Sequence, residues 1–307
     1  EQDRFIRSFF KCASVKELLF LLQEYLDEDN PLLAQYRQEA LEIEKEKLNP
    51  QQTLVYEAPI NKNIQVIAGP GSGKTHTLIL RIARLVQDEK VNPENILVLA
   101  YNRAVVIELK DRLAKLFKAL GYAKLINKLK VFTFHGFAKY CLGDKTENLD
   151  FDDWTPEFIK TMNETPGLIT QKLGVIKYVF VDEFQDITKD RLSLLQFIAK
   201  PKNTNICVIG DPNQSIYGYQ RDQANEPMDP KPYYEDFKKI YKGALEFNLS
   251  INYRSFPDIL IEAENLLSLN DTRFEMPKLE AKLNADTYEK YCEIVDLAET
   301  TINWKDK

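Results

Sequence analysis

Short apolar runs alternate with longer amphipathic stretches from residue 63 onward. Five of these runs are rich in β-branched residues and end in small or polar residues: NIQVIAG (63–69), NILVLAY (95–101), LKVFTFH (129–135), IKYVFVDE (176–183) and NICVIGD (205–211). Continuous apolar runs separated by helices predict an α/β fold, in which a mainly parallel sheet is covered by helices on both faces. Ligands bind such sheets outside the carboxyl ends of the strands. The small and polar residues that end these runs lie at that position.

The first fifty residues have a helical pattern instead. The stretch ASVKELLFLLQEYL (13–26) places Ser14 three residues before Glu17, a capping-box pattern, and then repeats Leu at helical spacing. A second helix, rich in Glu and Lys, is predicted from Pro31 to Lys47. We therefore predict a helical N-terminal extension over residues 1–47. The acidic stretch at residues 143–154 interrupts the later alternation and predicts a surface loop.

Composition narrows the class of protein. The chain has 307 residues, of which 44% are hydrophobic, and no apolar run approaches the length of a membrane span, so a membrane role is not expected. A net charge of −6 argues against a general nucleic-acid coat protein. Basic residues nevertheless dominate between Val106 and Lys130, either as a solvated amphipathic helix or as a strip that faces DNA.

Cysteine usage and the first residue bear on the cellular context. The four cysteines have no paired spacing and fit a reducing, cytoplasmic location: Cys12, Cys141, Cys207 and Cys292. The chain begins with Glu1 and has no charged-then-apolar leader, so we expect an excerpt from a longer protein.

A glycine-rich turn connects the first predicted strand to a helix in IQVIAGPGSGKTHTL (64–78). Its backbone N–H groups can wrap an anion at the helix N-terminus. The predicted cradle consists of Gly69, Gly71, Ser72 and Gly73. Lys74 would reach β- and γ-phosphates, and Thr75 would offer its hydroxyl to Mg²⁺. A chance glycine-rich turn is the alternative, and the strand before it and the helix after it favour phosphate binding.

Two consecutive carboxylates follow the predicted strand YVFV (178–181). Asp182 is placed to partner Mg²⁺, and Glu183 can polarise an attacking water. A solvated acidic loop is the alternative, and the glycine-rich loop upstream favours the catalytic interpretation.

Three further side-chain types suit the same chemistry. Gln214 can contact a γ-phosphate or its attacking water, and Arg254 can supply positive charge in the transition state. Tyr217 and Tyr219 lie two residues apart, so both can stack on bases, although ordinary core tyrosines have the same spacing.

Taken together, seven motifs resemble the UvrD/Rep family of superfamily 1 DNA helicases. In chain order they are LNPQQ (48–52), AGPGSGKT (68–75), LAYNRA (99–104), TFHGF (133–137), VDEFQD (181–186), GDPNQSIYGY (210–219) and NYRS (252–255). The resemblance covers residues 48–265 and implies a RecA-like P-loop fold. It implies a first motor domain over residues 48–250 and the start of a second over 251–307.

The resemblance also implies roles. ATP and Mg²⁺ would be the cofactors, with Lys74, Thr75 and Asp182 at the phosphates and the metal. Glu183 would be the catalytic base, Gln214 the γ-phosphate sensor and Arg254 an arginine finger. Gln52 and Tyr253 would lie at the adenine. A single-stranded DNA track is implied for Asn102, Arg103, His135, Tyr217 and Tyr219. The implied activity is an ATP-dependent helicase or translocase that moves 3′ to 5′.

The sequence departs from the family in several places. His76 stands where an Arg usually packs on the adenine, although a histidine ring can stack too. Arg221 comes one place late in its motif. Nothing from Ser255 to Lys307 resembles motifs V or VI, so we expect that this chain cannot unwind DNA alone and that the rest of a longer helicase, or accessory repair proteins, are its partners.

A competing hypothesis is a non-catalytic, nucleotide-gated module that binds single strand or a partner protein. The presence of Glu183, Gln214 and Arg254 together argues against it, whereas the expected loss of the second domain argues for it. A signalling P-loop ATPase is disfavoured by the paired tyrosines and the TFH stretch.

Overall fold

The structure is a computed structural model that describes most of the chain. The described residues are 2–13, 30–199, 204–216, 226–269 and 273–283, together with 17, 18, 21, 22, 25, 26, 218 and 221.

A six-stranded sheet forms the centre of the fold. Its strands are β1 (Ile64–Ala68), β2 (Ile96–Ala100), β3 (Lys130–Thr133), β4 (Tyr178–Val181), β5 (Asn205–Gly210) and β6 (Leu245–Leu249). Their order is β3-β2-β4-β5-β1-β6, and every pair is parallel. The parallel sheet and its first five strands are as predicted, and β6 was not predicted.

Helices cover both faces of this sheet, which confirms the expected α/β class. One face carries α2 (Pro31–Glu46), α3 (Pro50–Glu57), α4 (Lys74–Gln87) and α5 (Arg103–Ala119). The other face carries α6 (Phe134–Leu142), α7 (Trp154–Glu164), α8 (Leu168–Leu173), α9 (Lys189–Ala199) and α10 (Lys231–Ile240). A short helix, α1 (Gln2–Phe9), precedes them.

Helix α2 packs onto the sheet-bearing part of the chain. Leu41 is fully buried in the same apolar cluster as β1. The Arg37 guanidinium donates to the Gly121 carbonyl at 2.9 Å, and the Gln87 amide donates to the Arg37 carbonyl at 2.6 Å. The helix predicted from Pro31 is therefore present, whereas half of the residues 13–26, over which another helix was predicted, lie outside the described residues. The domain boundary at residue 47 stays a prediction.

A second, smaller unit follows the large sheet. Strand β7 (Ile251–Asn252) pairs in parallel with β8 (Glu280–Ala281), and α11 (Pro257–Ser268) lies between them in sequence. The stretch 143–154 contains two short 3₁₀ turns and is largely exposed, as predicted for a surface loop. Within the described residues, we found no helix with the length and apolarity needed to cross a bilayer.

Candidate nucleotide-binding site

The glycine-rich loop lies between β1 and α4, where the sequence placed it. Gly73 caps α4 with φ +79° and ψ +26°, and Gly71 has φ +64°, conformations that L-residues with a side chain rarely adopt. A Cβ atom on Gly71 would lie 2.7 Å from the Arg254 Cβ, and one on Gly73 would lie 2.6 Å from the Gln52 Nε2. The loop thus presents bare backbone N–H groups at the start of a 14-residue helix, as an anion site requires.

Residues from two separate strands converge beside this loop. The Thr75 hydroxyl donates to Asp182 Oδ2 at 3.1 Å, and Lys74 Nζ lies 3.3 Å from Glu183 Oε2. Strands β1 and β4, which deliver these residues, are both neighbours of β5, so their carboxyl ends meet at one edge. The structure therefore brings together the four residues that the sequence assigned to phosphate, metal and base.

The backbone at Glu183 is held in an unusual conformation. Its φ is +54° and its ψ is +50°, which costs about 1 kcal/mol for a residue with a side chain. Gln185 Nε2 donates to Glu183 Oε2 at 2.7 Å, and Gln185 Oε1 accepts from the Asp211 N–H at 3.0 Å. Gln185 therefore fixes the Glu183 carboxylate, and sequence patterns gave no sign of this role.

Buried carboxyl groups crowd around Lys74. Burial, followed by the Glu183 charge, raises the pKa of Asp182 to about 6 and that of Asp186 to about 7. Burial also raises the pKa of Asp211 to about 6, and Lys74 lowers it only in part. A divalent cation bound beside these carboxyl groups would lower their pKa values.

The donor set fits the expected cofactors. Hydroxyl and carboxylate oxygens of Thr75 and Asp182 are the hard ligands that Mg²⁺ prefers. The glycine-rich loop leads into the N-terminus of α4, where backbone N–H groups can donate hydrogen bonds to phosphate oxygens. Residues present in this chain thus fit Mg²⁺ and a nucleotide phosphate.

The residues expected at the adenine lie on the other side of the loop. The Gln52 amide donates to the Ser72 carbonyl at 2.9 Å, and Gln52 also closes a capping box with Asn49 at the start of α3. Asn49 donates to the Tyr253 hydroxyl at 2.8 Å, and the Tyr253 ring is 38% exposed. His76 is half-buried, and burial lowers its pKa. The structure gathers Gln52 and Tyr253 beside the loop.

Arg254 and Gln214 have exposed side chains at the rim of the site. The Arg254 position is set by Asn252, which is fully buried. Asn252 donates to the Pro70 carbonyl at 2.6 Å and accepts from the Arg254 N–H at 2.8 Å. This asparagine attaches β7 to the glycine-rich loop, and the sequence analysis did not single it out.

The residues expected on the DNA track are dispersed along the same edge of the sheet. Asn102 caps α5 by accepting from the Val105 N–H at 2.9 Å, and Arg103 is exposed. His135 is only 8% exposed because the Phe151 ring stacks on it at 4.1 Å. Burial and the Arg191 charge lower the pKa of His135 to about 4.

The other two residues of the predicted track, Tyr217 and Tyr219, lie outside the described residues. Two residues that were not assigned to the track have notable positions. Phe151 is 55% exposed and covers His135, and sequence patterns gave no sign of it within an acidic loop. Arg221 is buried, and it donates to the carbonyl oxygens of Gln185 and Pro227, at 3.1 and 3.0 Å, rather than facing solvent.

Comparisons with known proteins bear on the family of this chain. The family model described as UvrD/REP helicase N-terminal domain matches residues 48–148 and 143–228. The putative ATP-dependent DNA helicase YjcD of Bacillus subtilis is 25% identical over 289 residues, covering 68% of this chain and 37% of YjcD. The ATP-dependent DNA helicase PcrA of Leuconostoc citreum is 24% identical over 287 residues, with the same coverage of 68% and 37%.

Similarity to solved structures is weaker. The crystal structure of the Pif1 helicase from Candida albicans has a TM-score of 0.42 and 17% identity, covering 72% of this chain and 43% of that one. The chain spans little more than a third of the length of the curated relatives it matches.

Proposed function

This chain belongs to the UvrD/REP helicase family, and we propose that it is the first, nucleotide-binding motor domain of an ATP-dependent DNA helicase. The observation that carries the proposal is the convergence of Thr75 with Asp182 and of Lys74 with Glu183, at 3.1 and 3.3 Å. Relatives named ATP-dependent DNA helicases support it. The direction of movement that we propose, 3′ to 5′ on single-stranded DNA, rests on the family resemblance.

In this proposal each residue of the site has a task in phosphoryl transfer. Lys74 and the loop N–H groups hold the β- and γ-phosphates, and Thr75 and Asp182 hold Mg²⁺. When bound, Mg²⁺ supplies positive charge against the phosphate oxygens. Glu183 accepts a proton from the attacking water, for which its carboxylate is already oriented by Gln185.

The exposed residues at the rim complete the proposed chemistry. Gln214 contacts the γ-phosphate, and Arg254 offsets negative charge that develops there. Tyr253 stacks on the adenine, Gln52 hydrogen-bonds to it, and His76 lines the same pocket. Tyr253, Arg254 and Gln52 already lie beside the loop, since the Tyr253 N–H donates to the Gly71 carbonyl and Cβ atoms on Gly71 and Gly73 would meet Arg254 and Gln52.

The proposed DNA track follows the carboxyl edge of β2 and β3. It comprises Asn102, Arg103 and His135, with Tyr217 and Tyr219 as further members. We propose that unwinding of DNA needs a longer chain, of the length that the relatives have. The partners of this domain would be the rest of such a chain or accessory repair proteins. We propose a cytoplasmic location, in keeping with the unpaired thiols of Cys12, Cys141 and Cys207.

Steady-state ATP hydrolysis, with and without saturating oligo-dT, tests the proposal. Lys74→Ala serves as the blank. Stimulation by the oligonucleotide above that blank is expected, and Glu183→Gln is expected to abolish turnover while ATP binding persists. Glu46→Gln makes the same chemical change at an exposed position of α2 and is expected to leave turnover unchanged.

Two results would contradict the proposal. Equal ATP binding by the chain and by Lys74→Ala would exclude the phosphate site. Intact ATP binding, with hydrolysis that is the same in the chain and in Glu183→Gln, would favour the non-catalytic, nucleotide-gated module instead.

A further inference from the structure

The chain segment Phe274–Leu279, called the strap here, crosses from the Gln214 turn to the glycine-rich loop. At its first end, Asn213 Nδ2 donates to the Phe274 carbonyl at 3.1 Å, and Asn213 Oδ1 accepts from the Phe274 N–H at 2.8 Å. Both polar atoms of one side-chain amide thus bond to the backbone of a single residue. Such a paired contact fixes direction as well as distance.

The other end of the strap rests on the glycine-rich loop. Met276 and Leu279 lie against Gly69, so closely that a Cβ on this glycine would overlap the Leu279 side chain. A ring contact also holds the first end of the strap, because the Phe274 ring packs on the buried Tyr234 ring with centroids 5.5 Å apart. Strand β8 then continues the strap into the small sheet.

A continuous series of hydrogen bonds joins the strap to the proposed base. Glu183 is bonded to Gln185, and Gln185 to the Asp211 N–H, at 2.7 and 3.0 Å. Asp211 accepts from the Asn213 N–H at 3.1 Å through its side chain and from the Gln214 N–H at 2.9 Å through its carbonyl. The backbone of Gln214 is therefore held from one side by Asp211, while its side chain is exposed.

We propose that Asn213 and the strap are positioning elements that aim Gln214 at the γ-phosphate. This inference rests on the proposed function, because it assumes that a nucleotide binds at the glycine-rich loop. An exposed glutamine has many rotamers, and fixing the residue before it narrows the directions its amide can take. The strap also connects the Gln214 turn to Gly69, so that the distance between this turn and the glycine-rich loop stays constant.

The inference predicts selective loss of triphosphate recognition when Asn213 is changed. We would titrate Mg·AMPPNP and Mg·ADP into the chain by calorimetry, using Asn213→Ala, Gln214→Ala and the double variant. Gln214→Ala is expected to weaken AMPPNP about tenfold and to leave ADP unchanged. Asn213→Ala is expected to weaken AMPPNP several-fold, again without an effect on ADP, and the double variant is expected to match Gln214→Ala.

A matched control separates positioning from folding. Asn163→Ala removes an exposed asparagine that donates to a backbone carbonyl on α7, at 3.1 Å, and is expected to change neither affinity. Leu279→Ala loosens the other end of the strap and is expected to weaken AMPPNP more than ADP, because it disturbs both Gly69, which both nucleotides use, and the spacing to the Gln214 turn.

Three results with Asn213→Ala and the double variant would overturn the inference. These are an unchanged AMPPNP affinity in Asn213→Ala, an equal loss of ADP affinity, and independent, multiplicative losses in the double variant. If Gln214→Ala has no effect, the strap has nothing to position and the inference fails. The proposed nucleotide site would still stand in that case, provided that Lys74→Ala abolishes binding of both nucleotides.

Discussion

Leu41 connects the N-terminal helix α2 to the core of the sheet, and its removal should destabilise the whole domain. The side chain is fully buried among residues of β1, α4 and α5. Truncation to alanine deletes three buried carbon atoms, worth about 2.4 kcal/mol at ~0.8 kcal/mol each. The cavity left behind raises the cost to about 3 kcal/mol. For a domain of this size, that corresponds to a fall in Tm of about 10 °C.

Urea and thermal unfolding of Leu41→Ala and Leu32→Ala would measure this cost. Leu32 lies on the same helix but is 64% exposed, so its truncation should change stability by no more than about 0.5 kcal/mol. The difference between the two variants isolates burial from helix propensity, because both changes replace leucine by alanine in α2. Fluorescence and far-UV circular dichroism should report the same transition for each variant.

Equal midpoints for the two variants would refute the reasoning. So would a wild-type transition in which α2 unfolds separately, at lower urea than the sheet. Either result would mean that α2 is an appendage, and that the bonds of Arg37 to Gly121 and of Gln87 to Arg37 contribute nothing to its attachment.

Two other changes test the site and its surroundings. Gly71→Ala should weaken Mg·ADP binding at least about tenfold in calorimetry, because the new Cβ meets Arg254 and the φ of +64° strains any side chain. Gly167→Ala adds the same Cβ where the space is open, and it should bind Mg·ADP normally. Equal affinities of the two variants would contradict the close packing of the glycine-rich loop. His135 keeps a pKa near 4 in the folded protein, so only the unfolded state takes up its proton as the pH falls from about 6.5 toward 4. Stability is therefore lost on acidification. Between pH 7.5 and 5.0, the urea unfolding free energy of His135→Phe should fall by about 2 kcal/mol less than that of the wild type, and equal falls would refute a buried neutral imidazole.

The sheet was predictable where its strands are covered on both faces. Strands β1, β2, β4 and β5 are buried along almost their whole length and therefore appear as continuous apolar runs. Strand β6 is different, because residues 245–249 alternate apolar and polar positions and the strand lies at the edge of the sheet. A search for continuous apolar runs misses such an edge strand.

The convergence of the main site residues was also predictable, for a topological reason. Lys74 and Thr75 follow β1, and Asp182 and Glu183 follow β4, and parallel strands deliver their carboxyl ends to one edge. Their neighbours were not predictable in the same way. Gln185 lies within the VDEFQD motif, but its orienting role depends on a contact with Asp211, 26 residues away along the chain, which only folding brings close.

Asn252 and Phe151 illustrate the same limit. Asn252 is fully buried because it bonds to the glycine-rich loop, which is 182 residues away along the chain. Phe151 sits in an acidic stretch that is a surface loop, yet its ring folds back onto His135. Hydropathy describes how much of a residue is buried on average, and it does not report which distant group a side chain meets.

The contact between Lys74 and Glu183 sets an order of events within the proposed mechanism. Glu183 Oε2 is shared by Lys74, at 3.3 Å, and by the Gln185 amide, at 2.7 Å. Phosphate oxygens compete with this single carboxylate for the ammonium group, because they carry more negative charge. Once Lys74 turns to a phosphate, Glu183 keeps the orienting bond from Gln185 and regains a lone pair that can accept a proton. In the proposed mechanism, nucleotide entry therefore frees Glu183 Oε2 from the ammonium group before this carboxylate accepts the proton of the attacking water.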